Sequence, residues 1–383
     1  MIKMVTAFTA EADIPEVAVK EIQEQIDITK IKSNAVGIVQ CHSEFITTGV
    51  LEAVCKALPF ETVGITCSLP AVSGTSAHLA LTLTVLTSDE CEFKVKSFET
   101  DEGSKVAANC YKTAVQFAED GKMPALVLSY VSFMSFVSGD VLVNSFSEGL
   151  PGVPVFGSLP ISDNEDFSES YTIHNGKHTE FGAVYVGIYG NIKPTFKCTS
   201  FRAGTMYRTS GMIEEAEQTY VYKIDGIPAW DYIVQKGIST EGTYRNIITQ
   251  PLVLTYHDGS VIMRNCLGID FEKKAIILSG DAYPGAIVDF ALITSDDVRS
   301  SASEIANEIM YIAKEASVVL IYSCATRLWQ LGTDSTDEIN IIAEKLAGKA
   351  YNFAYSGGEI YPMFIDGKVV NTFQNNNLCV CVI

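Results

Sequence analysis

Apolar residues recur along the chain in short runs, and the order of these runs repeats three times. Each repeat opens with an apolar run of strand length, which reads AVGIVQC (35–41), ALVLSYV (125–131) and VVLIYSC (318–324). Each opening run is followed by a stretch with helical spacing, at 44–57, 138–149 and 336–346. A second apolar run then enters a turn of small residues, in VGITCSLP (63–70), VPVFGSLP (153–160) and NFAYSGGEIYP (352–362). A further apolar run closes each repeat, at 79–86, 181–189 and 378–383. Strand, helix and strand in this order predict a parallel, right-handed βαβ crossover in every repeat.

Two helices have sequence signals at their ends. Ser335 and Glu338 have the spacing of a capping box, and Gly348 is a typical residue for a helix end. The segment 299–317 has an amphipathic pattern, and its Ser301 and Glu304 also fit a capping box. The sequence therefore predicts a helix that leads into the third repeat.

The segment between the second and third repeats has a different pattern. Residues 220–237 predict a strand, a turn and a helix, while 251–266 and 274–294 predict strands joined by Asp-Gly and Pro-Gly turns. This segment should be largely antiparallel. A proline and glycines interrupt the apolar pattern in 190–204, where we place a domain boundary. The predicted fold is α/β, in the mixed α+β sense, with two domains at 1–195 and 196–383 that contain mixed sheets.

Composition and charge narrow the class of protein. The chain has 383 residues, 47% of them hydrophobic, and a formal net charge of -19, which disfavours nucleic acid and anionic membranes as partners. The longest apolar runs, such as 124–133, are about half the length that spans a bilayer. The first fifteen residues lack the pattern of a signal peptide, and the cysteines are scattered singly. We therefore expect a soluble cytoplasmic protein without membrane insertion.

Candidate binding residues follow the two strands of the third repeat. Cys324 and Arg327 come after the first strand, and Gly358 and Glu359 come after the second. The carboxyl ends of parallel strands meet at one edge of a sheet, where open α/β sheets bind ligands. Arg327 could hold a carboxylate and Glu359 an ammonium or a hydroxyl group. Alternatively, Arg327 and Glu359 pair with each other and bind no ligand.

Other residues near this edge allow more than one interpretation. Asn375 and Asn376 could line the pocket with amides or could form an ordinary turn. Tyr355 could form a pocket wall or fill the core. Cys324 could be a nucleophile beside Arg327, although an inert buried thiol is the commoner case. These alternatives stay open at the level of sequence.

Motifs for standard catalysis and metal binding are missing. The sequence contains no Walker A loop, no strand-linked G-x-G-x-x-G, no H-E-x-x-H and no G-x-S-x-G. The five histidines are scattered, so no general base can be assigned. We therefore assign no catalytic residue, no metal ligand and no cofactor.

The linked motifs of the C-terminal half resemble those of FIST proteins, which are bacterial sensory proteins. The resemblance rests on the following motifs: VYKIDGIPAWDYIVQKG, PLVLTYHDGSVIMRNCLGID, GDAYPGAIVDFALIT, SCATR, YSGGEIYP and NTFQNNNLCVCVI. It implies a FIST N-terminal domain at 1–195 and a FIST C-terminal domain at 196–383. The family's motif positions fall on Cys324 and Arg327, on Ser356, Gly358 and Glu359, and on Phe373 and Asn375.

The resemblance implies ligand sensing in signal transduction, with small molecules such as amino acids as ligands. We therefore expect a non-enzymatic sensory protein that binds a small metabolite at the carboxyl edge of the C-terminal sheet. No output domain is recognised in the sequence, so the signal would pass to a separate signalling protein. The alternatives are a cysteine-dependent enzyme that uses Cys324 and an interaction scaffold without a ligand.

Overall fold

A computed structural model describes residues 1–132, 137–164, 166–199, 201, 206–238 and 250–383 of the chain. The first repeat comprises β1 (Lys3–Thr9), α1 (Pro15–Gln25), β2 (Asn34–Cys41), α2 (Glu44–Thr47), α3 (Val50–Lys56), β3 (Glu61–Thr66), β4 (Ser68–Val72), β5 (Thr75–Ser76) and β6 (Leu81–Ser88). The second comprises β7 (Glu92–Glu99), α4 (Val106–Gln116), β8 (Leu126–Val131), α5 (Gly139–Gly149), β9 (Val155–Ser158), β10 (Thr172–His174), β11 (Lys177–Thr179) and β12 (Gly182–Tyr189).

The intervening segment and the third repeat complete the chain. The segment comprises β13 (Thr195–Cys198), β14 (Met206–Glu217), β15 (Tyr220–Ile224), β16 (Ile227–Pro228), α6 (Ala229–Gln235), β17 (Leu252–Thr255), β18 (Val261–Arg264), β19 (Cys266–Asp270), β20 (Ala275–Leu278) and β21 (Ile287–Ala291). The third repeat comprises α7 (Ser295–Ile312), β22 (Val319–Cys324), α8 (Ala325–Leu331), α9 (Asp337–Lys345), β23 (Asn352–Ser356), β24 (Glu359–Ile365), β25 (Lys368–Gln374) and β26 (Leu378–Val382).

The predicted parallel pairing within each βαβ crossover is confirmed in all three repeats. Strand β2 pairs in parallel with β3, β8 with β9, and β22 with β23. The closing strands β6, β12 and β26 each pair antiparallel with the opening strand of their own repeat. The α/β fold class predicted from the apolar pattern is therefore correct.

Each repeat also gives a strand to the sheet of another repeat. After the small-residue turns, β4 pairs with β23 of the third repeat, β24 pairs with β9 of the second, and β10 pairs with β3 of the first. The three resulting six-stranded sheets have the orders β1-β6-β2-β3-β10-β11, β25-β24-β9-β8-β12-β7 and β13-β26-β22-β23-β4-β5. We call them the first, second and third sheets. The turn at Gly357 and Gly358 thus passes the chain from the third sheet to the second.

The predicted domain division cuts across these shared sheets. The third sheet contains β4 and β5 from the predicted N-terminal domain, and the second contains β24 and β25 from the predicted C-terminal domain. Within the predicted boundary segment, residues 200 and 202–205 lie outside the described residues. The division at residue 195 stays a prediction.

One apolar core lies between the three sheets, and helices cover the outer face of each sheet. The central core combines side chains of all three repeats, including Ile38, Leu128 and Tyr322. Helices α1 and α3 pack on the first sheet, α4 and α5 on the second, and α7 and α9 on the third. Each sheet is thus apolar on both faces, as is typical of α/β layers.

The fourth sheet is antiparallel, as predicted for the intervening segment. Its order is β18-β17-β21-β14-β15-β20-β19, with β16 paired to β15. The predicted strand, turn and helix at 220–237 correspond to β15, β16 and α6. In the described part of the chain, no helix combines the length and the apolar character needed to cross a membrane.

Both predicted capping boxes are wrong. Helix α7 begins earlier than predicted, because Thr294 is its N-cap and forms the capping box with Asp297. Ser301 instead donates to the carbonyl of Val298 inside the helix. Helix α9 has no side-chain cap, and Glu338 is turned into the interior. The predicted helix at 44–57 is also divided in two, at Gly49, which has a φ of 81°.

Candidate functional site

The carboxyl edge of the third sheet brings together residues from three separate motifs. Cys324 at the end of β22 is level with Ser356 at the end of β23. Strand β26 is antiparallel to β22, so the Asn375–Asn377 segment that precedes it reaches the same edge. Tertiary structure therefore brings these candidate residues together as the crossover geometry predicted.

All nine candidate residues are buried. The eight side chains among them are each at most 2% exposed, and Gly358 is also buried. They are Cys324, Arg327, Tyr355, Ser356, Gly358, Glu359, Phe373, Asn375 and Asn376. A ligand would therefore have to enter a closed interior to contact these groups directly.

The guanidinium of Arg327 has partners on several sides. Its Nε lies 3.0 Å from Glu338 Oε1, its Nη2 donates to Ser301 Oγ at 3.0 Å, and its Nη1 donates to the carbonyl of Asn376 at 3.3 Å. Burial by itself lowers the pKa of Arg327, but Glu338 has the opposite effect and the net pKa is raised. Its ionic partner is Glu338 and not Glu359, so the alternative in which Arg327 and Glu359 pair with each other is not found in the described structure. The charge expected to hold a ligand carboxylate is neutralised within the protein.

Glu359 is a buried acid with few partners. Ser356 Oγ donates to its Oε1 at 3.4 Å, and its Oε2 has no hydrogen-bond partner among the described residues. Burial raises the pKa of Glu359 well above its ordinary value, and the nearby Arg327 and a backbone hydrogen bond from Asn377 oppose that shift only in part. The protonated, neutral form is therefore favoured at this position.

Cys324 is placed in a polar network rather than beside a base. Its sulfur lies 3.2 Å from Thr326 Oγ1, and Asn265 Nδ2 lies 3.9 Å away. Its described hydrogen bonds include none to a histidine. The arrangement provides no base for the nucleophile hypothesis.

Asparagine side chains extend this network to the fourth sheet. Asn376 accepts from Thr326 Oγ1 at 2.7 Å and donates to Asn265 Oδ1 at 2.7 Å. Asn375 Oδ1 accepts from Ser279 Oγ at 2.7 Å and from Arg264 Nη1 at 3.4 Å. The carboxyl edge is therefore one hydrogen bond away from Arg264.

Arg264 forms a buried ion pair with Asp140 at the start of α5. Its Nη2 lies 2.7 and 2.6 Å from the two carboxylate oxygens, and the side chains are 2% and 17% exposed. The guanidinium also lies over the ring of Phe373, 5.5 Å from the ring centroid, and its Nη1 donates to the Phe373 carbonyl at 3.2 Å. Burial raises the pKa of Asp140 although Arg264 opposes the shift. Arg264 thus connects the second repeat, the fourth sheet and the C-terminal motif.

An open cavity of about 570 Å³ lies against this ion pair, between α5 and the β17–β18 hairpin. Its lining includes Asp140, Asn144, Tyr256, Arg264, Asp281 and Tyr283. The rings of Tyr256 and Tyr283 have centroids 6.0 Å apart. Asp281 is only 7% exposed, and its Oδ1 has no partner among the described residues. The cavity therefore combines aromatic walls with buried charged groups.

A glycine at the cavity floor allows the ion pair to form. A Cβ atom added at Gly280 would lie 2.4 Å from both Arg264 Nε and Asp140 Oδ2. The backbone of Asp281, the next residue, donates to Asp140 Oδ2 at 2.8 Å. Any larger residue at 280 would have to displace a largely buried salt bridge.

Sequence reasoning missed the charged residues of this cavity. Arg264 stands inside the apolar strand VIMR, and a charged residue in such a run is a usable signal of a buried partner. Asp140 lies in the predicted helical stretch 138–149, and Asp281 lies in the predicted strand-and-turn segment 274–294. Asp140 lies 124 positions from Arg264 and 141 positions from Asp281 in the chain, and no local pattern reveals contacts over such separations.

Within the described residues, no group of His, Cys, Asp and Glu side chains could hold a metal ion.

Comparison with protein families gives two adjoining matches. Residues 35–227 match the FIST N domain, and residues 229–362 match the FIST C domain. A comparison with curated proteins found no match.

Proposed function

This chain belongs to the FIST family, whose domains are sensory domains of signal transduction, and from that premise we propose that it senses a small metabolite such as an amino acid. The proposed site is the cavity floored by Arg264, immediately beyond the carboxyl edge of the C-terminal sheet. Occupancy of the cavity would be reported to a separate signalling protein in the cytoplasm. The proposal includes no catalytic step, no cofactor, no nucleic acid and no membrane insertion.

The observation that supports this proposal is the buried charge at the cavity. Burying a guanidinium and carboxylates without full compensation is costly, and stability alone is often better served by apolar residues. The cavity volume of about 570 Å³ falls within the range of small-molecule sites. An aromatic-walled cavity with a few buried polar groups is the usual form of such a site.

A route for the signal follows from the contacts of Arg264. Its guanidinium lies on Phe373, and that ring fills the space where Gly139 and Gly358 have no side chains. A Cβ atom at either glycine would lie within 2.5 Å of the ring. We propose that a ligand which shifts Arg264 also moves Phe373 and the β24–β25 hairpin, whose surface would contact the signalling protein.

A thermal-shift screen of metabolites on the full chain tests the proposed site, followed by calorimetry of any compound that binds. Asn144→Trp places a large side chain at the cavity wall from an exposed helix position, and Gly280→Ala displaces the ion pair. Gly268→Ala is the matched control, because an added Cβ there would have no neighbour closer than 3.6 Å. We expect both cavity variants to weaken binding at least about tenfold, because the first fills part of the cavity and the second displaces the charged groups at its floor.

Unchanged affinity in folded Asn144→Trp and Gly280→Ala proteins would place the ligand elsewhere. A wild type that binds no compound in the screen would favour an interaction scaffold instead. Selective, rapid labelling of Cys324 by a thiol reagent at neutral pH would favour the cysteine-dependent enzyme.

A further inference from the structure

We infer that the group recognised in this cavity is an ammonium, so that the ligand is a small organic amine held by Asp281 beside the rings of Tyr256 and Tyr283. This inference rests on the proposed function, in which the cavity is the ligand site. It narrows the proposed ligand from small metabolites in general to organic amines.

The charge balance of the cavity supports a cationic ligand. Three carboxylates line it, on Asp140, Asp258 and Asp281, while Arg264 and His257 are the basic side chains in the lining. Arg264 is held by Asp140 through both carboxylate oxygens. Asp281 is buried without a cation of its own in the described structure, and such a carboxylate strongly favours the approach of positive charge.

The hydrogen bonding of Asp281 leaves room for a donor from a ligand. Tyr283 donates to its Oδ2 at 3.2 Å, and Oδ1 has no partner among the described residues. Tyr256 donates instead to the backbone carbonyl of Asp281, at 3.4 Å. An ammonium would supply the missing N–H donor together with the missing positive charge.

The walls favour an organic cation over a metal ion. Tyr256 and Tyr283 present two rings with centroids 6.0 Å apart and planes inclined by 59°. Aromatic faces attract ammonium groups, whereas they provide no ligand for a hard metal ion. The described residues also include no cluster with enough carboxylate, histidine or cysteine ligands for a metal.

The donors of Arg264 are not available to a ligand carboxylate. Its Nη2 serves Asp140, and its Nη1 serves the Phe373 carbonyl and Asn375. Its Nε has no partner in the described structure but lies against Gly280, where an added Cβ would come within 2.4 Å. A carboxylate close to the ammonium would also be repelled by the acidic lining. An amine should therefore bind better than the amino acid from which it differs by one carboxylate.

Isothermal titration calorimetry of the full chain at fixed ionic strength tests this inference with matched probes. Putrescine is compared with ornithine, tyramine with tyrosine, and 3,3-dimethylbutan-1-amine with its neutral isostere 3,3-dimethylbutan-1-ol. We expect at least one amine to bind at least about tenfold more tightly than its partner compound, since that partner either adds a repelled charge or lacks the cation.

Two variants connect such binding to the cavity. Asp281→Asn keeps the shape and removes the charge, and Asp366→Asn makes the same change at an exposed turn outside the cavity lining. Amine binding should weaken at least about tenfold in the first and stay unchanged in the second. Tyr283→Ser removes an aromatic wall at a side chain that is 54% exposed, so it reports on the site even if Asp281→Asn fails to fold.

The outcomes separate this inference from the proposed function. Equal or tighter binding of ornithine and tyrosine, or amine binding that survives both Asp281→Asn and Tyr283→Ser, would overturn the amine class and leave ligand sensing in place. Failure of all six probes and of the metabolite screen would overturn both.

Discussion

The hydroxyl groups of Tyr130 and Tyr322 lie 2.7 Å apart in the centre of the protein, and neither side chain is exposed. Tyr130 belongs to the second sheet and Tyr322 to the third, and their rings meet edge to face with centroids 6.1 Å apart. A polar contact therefore links two of the three sheets inside an otherwise apolar core.

Removing both hydroxyls should destabilise the protein by less than the sum of the two single removals. Tyr322→Phe leaves the Tyr130 hydroxyl buried without this partner, which should lower the free energy of unfolding by about 1–3 kcal/mol. In the double variant Tyr130→Phe/Tyr322→Phe neither hydroxyl is left without the other, so its loss should be smaller than the sum of the single losses. Urea denaturation of the four proteins measures this coupling, and strictly additive losses would contradict it.

The ion pair between Arg327 and Glu338 should behave as a buried structural pair. Glu338→Gln leaves the guanidinium without its counter-charge, so we expect a loss of about 3–5 kcal/mol in the free energy of unfolding. Arg327→Met/Glu338→Leu removes both charges and should be less destabilised than either single variant. Chemical denaturation measures these differences. Glu24→Gln, in the exposed pair with Lys20, is the control and should change little. A Glu338→Gln protein as stable as the wild type would contradict the burial of this pair.

The buried acid Glu359 should make stability depend on pH. Its pKa is raised from an ordinary value of 4.5, so the folded protein holds the proton more tightly than the unfolded chain does. Its contribution to stability is complete below that ordinary value and is lost as the pH rises toward the raised pKa, by up to about 1.4 kcal/mol per pH unit. Glu359→Gln carries no titrating proton. The variant should therefore gain in stability relative to the wild type as the pH rises from 5 to 8.

Urea denaturation of both proteins across that pH range measures the difference. Glu344→Gln is the control, because the side chain of Glu344 is exposed on α9. A difference between wild type and Glu359→Gln that stays constant with pH would show that Glu359 is ionised in the folded protein.

Separating the two predicted domains should leave both unfolded. A fragment of residues 1–195 lacks β24 and β25 of the second sheet, and a fragment of 196–383 lacks β4 and β5 of the third. We expect neither fragment alone to unfold cooperatively, because each would have exposed sheet edges and an incomplete core. The mixed fragments should associate and recover a cooperative transition by circular dichroism. Cooperative unfolding of the isolated 1–195 fragment would contradict this expectation.

Much of the local architecture could be predicted from the apolar pattern. The runs at 35–41, 125–131 and 318–324 are strands that pair in parallel as predicted, because a buried parallel strand requires an almost continuous apolar run. The sequence predicts the first residues of the helices less accurately. The Ser-x-x-Glu spacing at Ser301 and Ser335 matches a capping box by composition, but the capping position also depends on where the preceding chain becomes extended, as it does at Thr294.

The sequence by itself therefore determined the three repeats, their strand directions and the meeting of Cys324, Ser356 and Asn375 at one edge, since each follows from local periodicity and crossover geometry. Tertiary structure alone decided which carboxylate each arginine meets. Arg327 is bound to Glu338 and Arg264 to Asp140, and strands after the turns pair in the sheets of other repeats. These choices depend on desolvation and packing between segments distant in the chain, which leave no periodic signal in the sequence.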